Sequence, residues 1–88
     1  MNEEELQKIL KEIGDLLKMK NKMYGDENML KIGEKGALVR MEDKVMRLQN
    51  LLRLKEQGTN QEAEIEDNWK DIAGYGIIGL MLQRNKWA

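Results

Sequence analysis

No proline falls anywhere in these 88 residues, and that absence, taken with the spacing of the apolar side chains, restricts the chain to helices broken by glycine. Proline would end a helix outright, so here glycine and asparagine supply the punctuation. Leu6, Ile9, Leu10, Ile13, Leu16, Leu17 and Met23 recur at three- and four-residue steps, the period of a helix with one apolar face. Glu3, Glu4 and Glu5 open this block and Lys18, Lys20 and Lys22 close it, which suits the helix dipole at both ends. The spacing predicts a first helix over about 3–23. Leu38, Met41, Val45, Leu48 and Leu52 form the core stripe of a second, over about 37–56. Gln57-Gly58-Thr59-Asn60 ends it, and Thr59 or Asn60 can cap the next helix. That third helix is expected over about 61–83, with Ile65, Trp69, Ile72 and Gly76 inward. Residues 24–36 read as a structured loop, in which Met29, Leu30 and Ile32 fold back onto the body with room for a short helical turn. The expectation is a single all-α domain over 1–88: a small bundle of three main helices plus that loop, completed by oligomerisation.

Oligomerisation enters through the third helix. Ile72 to Leu82 is apolar on nearly every side, and a helix of that character has to be covered on more than one side. Two other helices offer limited cover in a chain of this size. A homo-oligomer whose interface uses Gly74 to Leu82 is one reading; the central helix of a monomeric bundle is the other. Gly74-Tyr75-Gly76-Ile77-Ile78-Gly79 matches the G-x-G-x-x-G dinucleotide fingerprint by letter. That fingerprint needs a strand before it and a helix beginning at it, whereas an unbroken helical pattern precedes these glycines. Close packing is the better account, since each glycine costs about 1 kcal/mol relative to alanine inside a helix.

Composition excludes several functions. Lys plus Arg number 15 against 16 Asp plus Glu, a net charge of −1 with a pI near 5.5, which argues against a coat for DNA or RNA. The chain has no cysteine and no histidine. Disulfides, thiolate chemistry and the usual catalytic triads are therefore out, and any metal has to sit on oxygen. No stretch approaches the roughly 18–20 apolar residues of a membrane span, and no signal peptide opens the sequence. These features predict a soluble, cytoplasmic protein with no membrane partner.

Two charged stripes are the candidate site. Arg40, Asp43, Lys44 and Arg47 lie three, four and seven residues apart, along one face of the second helix. Three cations with one anion suit a phosphate clamp, in which arginine offers a planar fork and lysine a mobile charge. The first turn of that helix holds no acid, and Lys35 precedes it. Gly33 and Gly36 leave the backbone there free to bend, and free amides at a helix start attract anions. The alternative is a solvated face of local ion pairs. On the third helix Glu64, Asp67 and Asp71 succeed one another at steps of three and four with Tyr75 above. Three carboxylates in a row call for a cation: magnesium, which prefers oxygen ligands, or the cations of the second helix. The expectation is that the two stripes face each other across a cleft. Tyr24 and Tyr75 suit stacking on a base or bonding a phosphate, although Tyr24 reads equally well as a loop anchor. Trp69 reads as packing.

Lys20-Asn21-Lys22-Met23-Tyr24-Gly25-Asp26-Glu27-Asn28, then Gly33-Glu34-Lys35-Gly36-Ala37-Leu38-Val39-Arg40-Met41, then Asp43-Lys44-x-x-Arg47-Leu48-x-Asn50-Leu51 resemble the nucleotide modification associated domain family of phages and prophages. Glu64-x-Glu66-Asp67-Asn68-Trp69-x-Asp71-Ile72-Ala73-Gly74-Tyr75 is similar to the same family's third signature. The resemblance covers about residues 20–80. That family is in turn similar to the MazG-like all-α nucleotide pyrophosphohydrolases, which hold magnesium between acidic pairs on neighbouring helices. The resemblance implies a nucleotide ligand met by Tyr24, Asn28, Gly36, Arg40, Asp43, Lys44, Arg47 and Tyr75, and a metal, if any, on Glu64, Asp67 and Asp71. A MazG-like site needs a second acidic pair, and here the facing helix supplies Arg40-x-x-Asp43-Lys44 instead. Glu12-x-x-Asp15 on the first helix points away from its apolar face. The function this implies is capture of a phosphorylated nucleotide, cyclic signals included, without turnover and without a required cofactor: a sponge acting against host defence. The alternative is a magnesium-dependent MazG-like pyrophosphohydrolase.

Overall fold

The computed structural model describes all residues, Met1–Ala88. It is all-α, with α1 Glu3–Tyr24, α2 Glu27–Glu56 and α3 Glu62–Gln83. α1 begins where Asn2 Oδ1 accepts a hydrogen bond from the Glu5 N–H at 3.0 Å, with three glutamates in the first turn. Gly25 ends it at φ 78°, donating its N–H to the Asn21 carbonyl. α2 ends at Glu56, where Gly58 takes φ 93° and the Thr59 N–H returns to the Leu54 carbonyl. Asn60 Oδ1 then accepts from the Glu62 N–H in the first turn of α3.

The expected loop over 24–36 is the main point at which the structure corrects the sequence pattern. Only Gly25 and Asp26 separate α1 from α2, and the apolar patch Met29, Leu30 and Ile32 lies in a helical arm. The arm joins the body of α2 through a sharp kink at Gly33, φ 65° and ψ −169°. That backbone region is open almost only to glycine, so Gly33 bends the helix without ending it. Gly36 serves the same bend. A Cβ there would clash with the side chain of Ile32, so the chain can fold back only over a bare Cα.

α2 and α3 run as an antiparallel hairpin, with α1 laid across one face of it, chiefly against α3. The centre of the hairpin is Leu48, Leu51 and Ile65, with Ile72 packed alongside. α1 contributes the buried Ile13 and approaches α3 closely at Gly74, where an added methyl would stand 3.3 Å from Leu17 Cδ2. Of the expected α2 stripe only Leu48 is buried, with Met41 half-buried. Ala37, Leu48 and Leu51 are buried and the stems of Arg40 and Lys44 are half-buried, while Leu38, Val45 and Leu52 stay exposed. Long cationic side chains bury their carbon stems and keep their heads in a wet cleft, so the inward face of α2 sits about a quarter-turn from its apolar seam. For the same reason Trp69 is 56% exposed and not in the core, and Gly76 is exposed. Asn68 is the reverse case. It is 2% exposed, and neither its amide nitrogen nor its oxygen finds a protein partner, an arrangement that costs about 1–3 kcal/mol.

Candidate functional site

Where the end of α1, the arm of α2 and the middle of α3 converge, they leave a cleft of about 460 Å³, within the usual range for small-molecule sites. Six of the residues singled out from sequence line it: Tyr24, Asn28, Arg40, Lys44, Asp71 and Tyr75. The kink at Gly33 brings Asn28 there, and the helical spacing of Arg40 to Lys44 and of Asp71 to Tyr75 sets one pair on each wall. Five others lie elsewhere. Gly36 packs against Ile32, and Asp43, Arg47, Glu64 and Asp67 are exposed and outside the lining.

The two charged stripes therefore meet at one point. Lys20 donates to Asp71 Oδ1 and Lys44 lies against Oδ2, each at 3.0 Å. Burial by itself pushes the Asp71 carboxyl up, but the hydrogen bonds and charges of Lys20 and Lys44 outweigh it and hold the group below its ordinary 3.8. A carboxyl with a depressed native pKa stabilises the fold above its unfolded value, and that contribution is lost as the pH falls through the native value. Stability should therefore decline as the pH falls below the ordinary carboxylate range, and Asp71→Asn should flatten this limb of a stability–pH curve measured by denaturant titration. An unchanged limb would show that the two lysines do not couple to folding.

The remaining charges give the cleft its sign. Lys70 lines it but is drawn outward to Glu12 and Glu66, each at 3.5 Å. Glu12 thus answers a cation on α3, while Asp15 pairs with Lys11 on the surface. Arg40 makes no ion pair and no side-chain hydrogen bond, although it is half-buried in the lining. With Lys70 committed to its two glutamates, Lys20, Arg40 and Lys44 against Asp71 still leave the cleft positive in a chain whose net charge is −1.

Four polar or aromatic lining residues do not stand out as candidates in the sequence: Lys20, Asn21, Lys70 and Trp87. The first two continue the inward stripe of α1 from Ile13 and Leu17, a signal that periodicity carries. Asn21 Oδ1 is buried without a protein partner. Trp87 lies beyond α3, and its indole N–H donates to the Asp26 carbonyl at 3.0 Å, pinning the α1–α2 turn to the end of the chain. No local pattern announces it. With Tyr24 and Tyr75 it gives the cleft three of the chain's four aromatic side chains.

The donor set does not suit a divalent ion. Both Asp71 oxygens are taken by lysines, Glu64 and Asp67 point to solvent, and no three acidic side chains gather closely enough to hold a metal. No helix is long and apolar enough to cross a membrane. No family model, curated protein or solved structure matches the chain.

Proposed function

We propose that the cleft captures a phosphorylated nucleotide and holds it without turnover. The observation that carries this is Arg40, a half-buried residue whose guanidinium has no protein partner, in a positive cleft walled by three aromatic side chains. A planar fork with free donors is matched to phosphate oxygens, and Lys44 and Lys20 stand beside it. Tyr24, Tyr75 and Trp87 offer faces for a base, since stacking accepts any base. Binding of this kind needs no metal. Capture is favoured over hydrolysis because the one carboxylate in the cleft is tied down by two lysines and cannot serve as a free base. The resemblance to the phage nucleotide modification associated family gives this chemistry a setting: a cytoplasmic sponge that withdraws a signalling nucleotide in an infected or lysogenic host.

The test is to incubate the protein with linear and cyclic nucleotides and magnesium, then chromatograph the mixture before and after heat denaturation. Capture is expected to deplete an intact nucleotide that reappears only on heating. A new product would establish the pyrophosphohydrolase instead, and unchanged nucleotide throughout would remove both.

A further inference from the structure

We infer that the face of the α2–α3 hairpin turned away from α1 is the interface of a two-fold dimer of this chain. The molecule is 24 Å through its thinnest dimension, about two helix diameters. One of those layers is the hairpin itself, with α1 on one side and nothing on the other. Both helices present apolar side chains to that bare side. On α2, Leu38, Met41, Val45 and Leu52 follow one another at steps of three, four and seven along this side, beside Leu48, which turns into the hairpin; the spacing is that of a helix that packs knobs into holes. On α3, Trp69, Ala73, Gly76, Ile77 and Leu80 fall on the matching flank. Leu38, Val45, Leu52, Trp69, Ile77 and Leu80 are 36–56% exposed, although each lies within a helix that packs its other flank inside the chain.

The occupant that fits is a second copy. The face holds both a ridge, the α2 seam, and a hollow of about 350 Å³ floored by Gly76 and Gly79 beside Met41. A surface bearing a ridge and its own hollow complements itself under a two-fold rotation. Glu34 and Lys35, one of each sign, stand at the edge of the hollow, so two copies meet without net repulsion. The area agrees as well. A standard interface of roughly 800 Å² per partner with a core about 65% apolar needs on the order of 500 Å² of apolar surface from each copy. The six exposed side chains supply that order of area. Pairing two hairpins in this way yields a four-helix core with the seam inside it, with Tyr75, which lines both the hollow and the cleft, at its edge.

Sedimentation of the full chain at about 10 and 100 µM is expected to give twice the 10.3 kDa chain mass. Gly76→Leu should fill the hollow and weaken dimerisation at least tenfold, and it raises helix propensity, so unfolding does not confound it. Val45→Glu should do the same by charging the seam. Hydroxyl-radical footprinting of the unaltered protein is the independent measurement. Trp69 should be protected, while Met23, 70% exposed on α1, should oxidise freely. A monomer at both concentrations, a dimer indifferent to both substitutions, or a freely oxidised Trp69 would overturn the inference. The last two outcomes would mean that the copies pair through another face, and a monomer with Trp69 protected would mean that something other than a second copy covers this one.

Discussion

Arg40→Ala is expected to weaken nucleotide capture about a hundredfold while leaving helix content unchanged. Hydrogen bonds to charged groups contribute about 1.5–3 kcal/mol each, and a bidentate arginine–phosphate pair makes two. Allowing for water that replaces part of the loss, about 3 kcal/mol remains, which is two decades of affinity. No protein partner competes for the guanidinium, so nothing inside the chain softens its removal and little folding energy goes with it. Arg40→Lys keeps the charge without the fork and should recover about one of the two decades. Arg47→Ala is the control. Sequence spacing places Arg47 in the same clamp, but its side chain is exposed outside the cleft, so its loss should change affinity by less than about threefold, as screening of a distant charge allows. Equilibrium titration of the three variants checks this, and a larger loss at Arg47 than at Arg40 would put the phosphate outside the cleft.

The second large effect is expected at Gly33. Gly33→Ala forces a Cβ into backbone space that only glycine occupies readily, at a cost of about 1–3 kcal/mol. The chain buries only 8 of its 88 residues, so a loss of that size is a large share of its stability. Urea denaturation should show the midpoint falling. The same substitution should weaken capture, because the kink is what turns the arm and brings Asn28 and Met29 to the cleft. Gly14→Ala makes the contrast. Gly14 lies inside α1 with open space around its Cα, and alanine there should add up to about 1 kcal/mol through helix propensity. A Gly33→Ala protein as stable as the parent would mean that α2 straightens without cost and that the arm is not held by its glycine.

Both predictions bear on how much of the molecule is legible in the sequence. The three helices are, because periodicity and end signals are local: the glutamates at 3–5, the lysines at 18–22, and Gly58 and Asn60 all act within a turn of their own position. The arm is not, because Gly33 and Gly36 look alike in sequence whether they end a helix or bend one. Only the fit of Ile32 over the bare Cα of Gly36 decides between the two. The buried stripe of α2 is hidden for a related reason. Its residues offer two adjacent flanks, one purely apolar and one of alternating aliphatic and cationic side chains, and periodicity cannot say which of them meets α3. Trp69 shares this ambiguity: as the largest apolar residue of α3 it points by composition to the core, yet the buried place goes to Asn68.

The candidate site divides in the same way. Spacing along each helix brings Arg40 and Lys44 together, and likewise Asp71 and Tyr75, because residues three or four apart share a face whatever surrounds them. Facing is another matter, since it depends on the rotation of each helix against its neighbour. That rotation leaves Arg47, Asp43, Glu64 and Asp67 outside the cleft and admits Lys20, Asn21 and Lys70.

By itself, then, the sequence determined that this chain is helical, where most of its helix ends fall, and which charged residues travel together, all of which depend on interactions within about four residues. The tertiary structure alone decided which flank of α2 is buried, that Asp71 is claimed by two lysines while Arg40 is left free, and that Trp87 closes on Asp26. Those outcomes rest on packing between segments as many as 61 residues apart, where the balance of buried area and charge depends on the whole arrangement of helices.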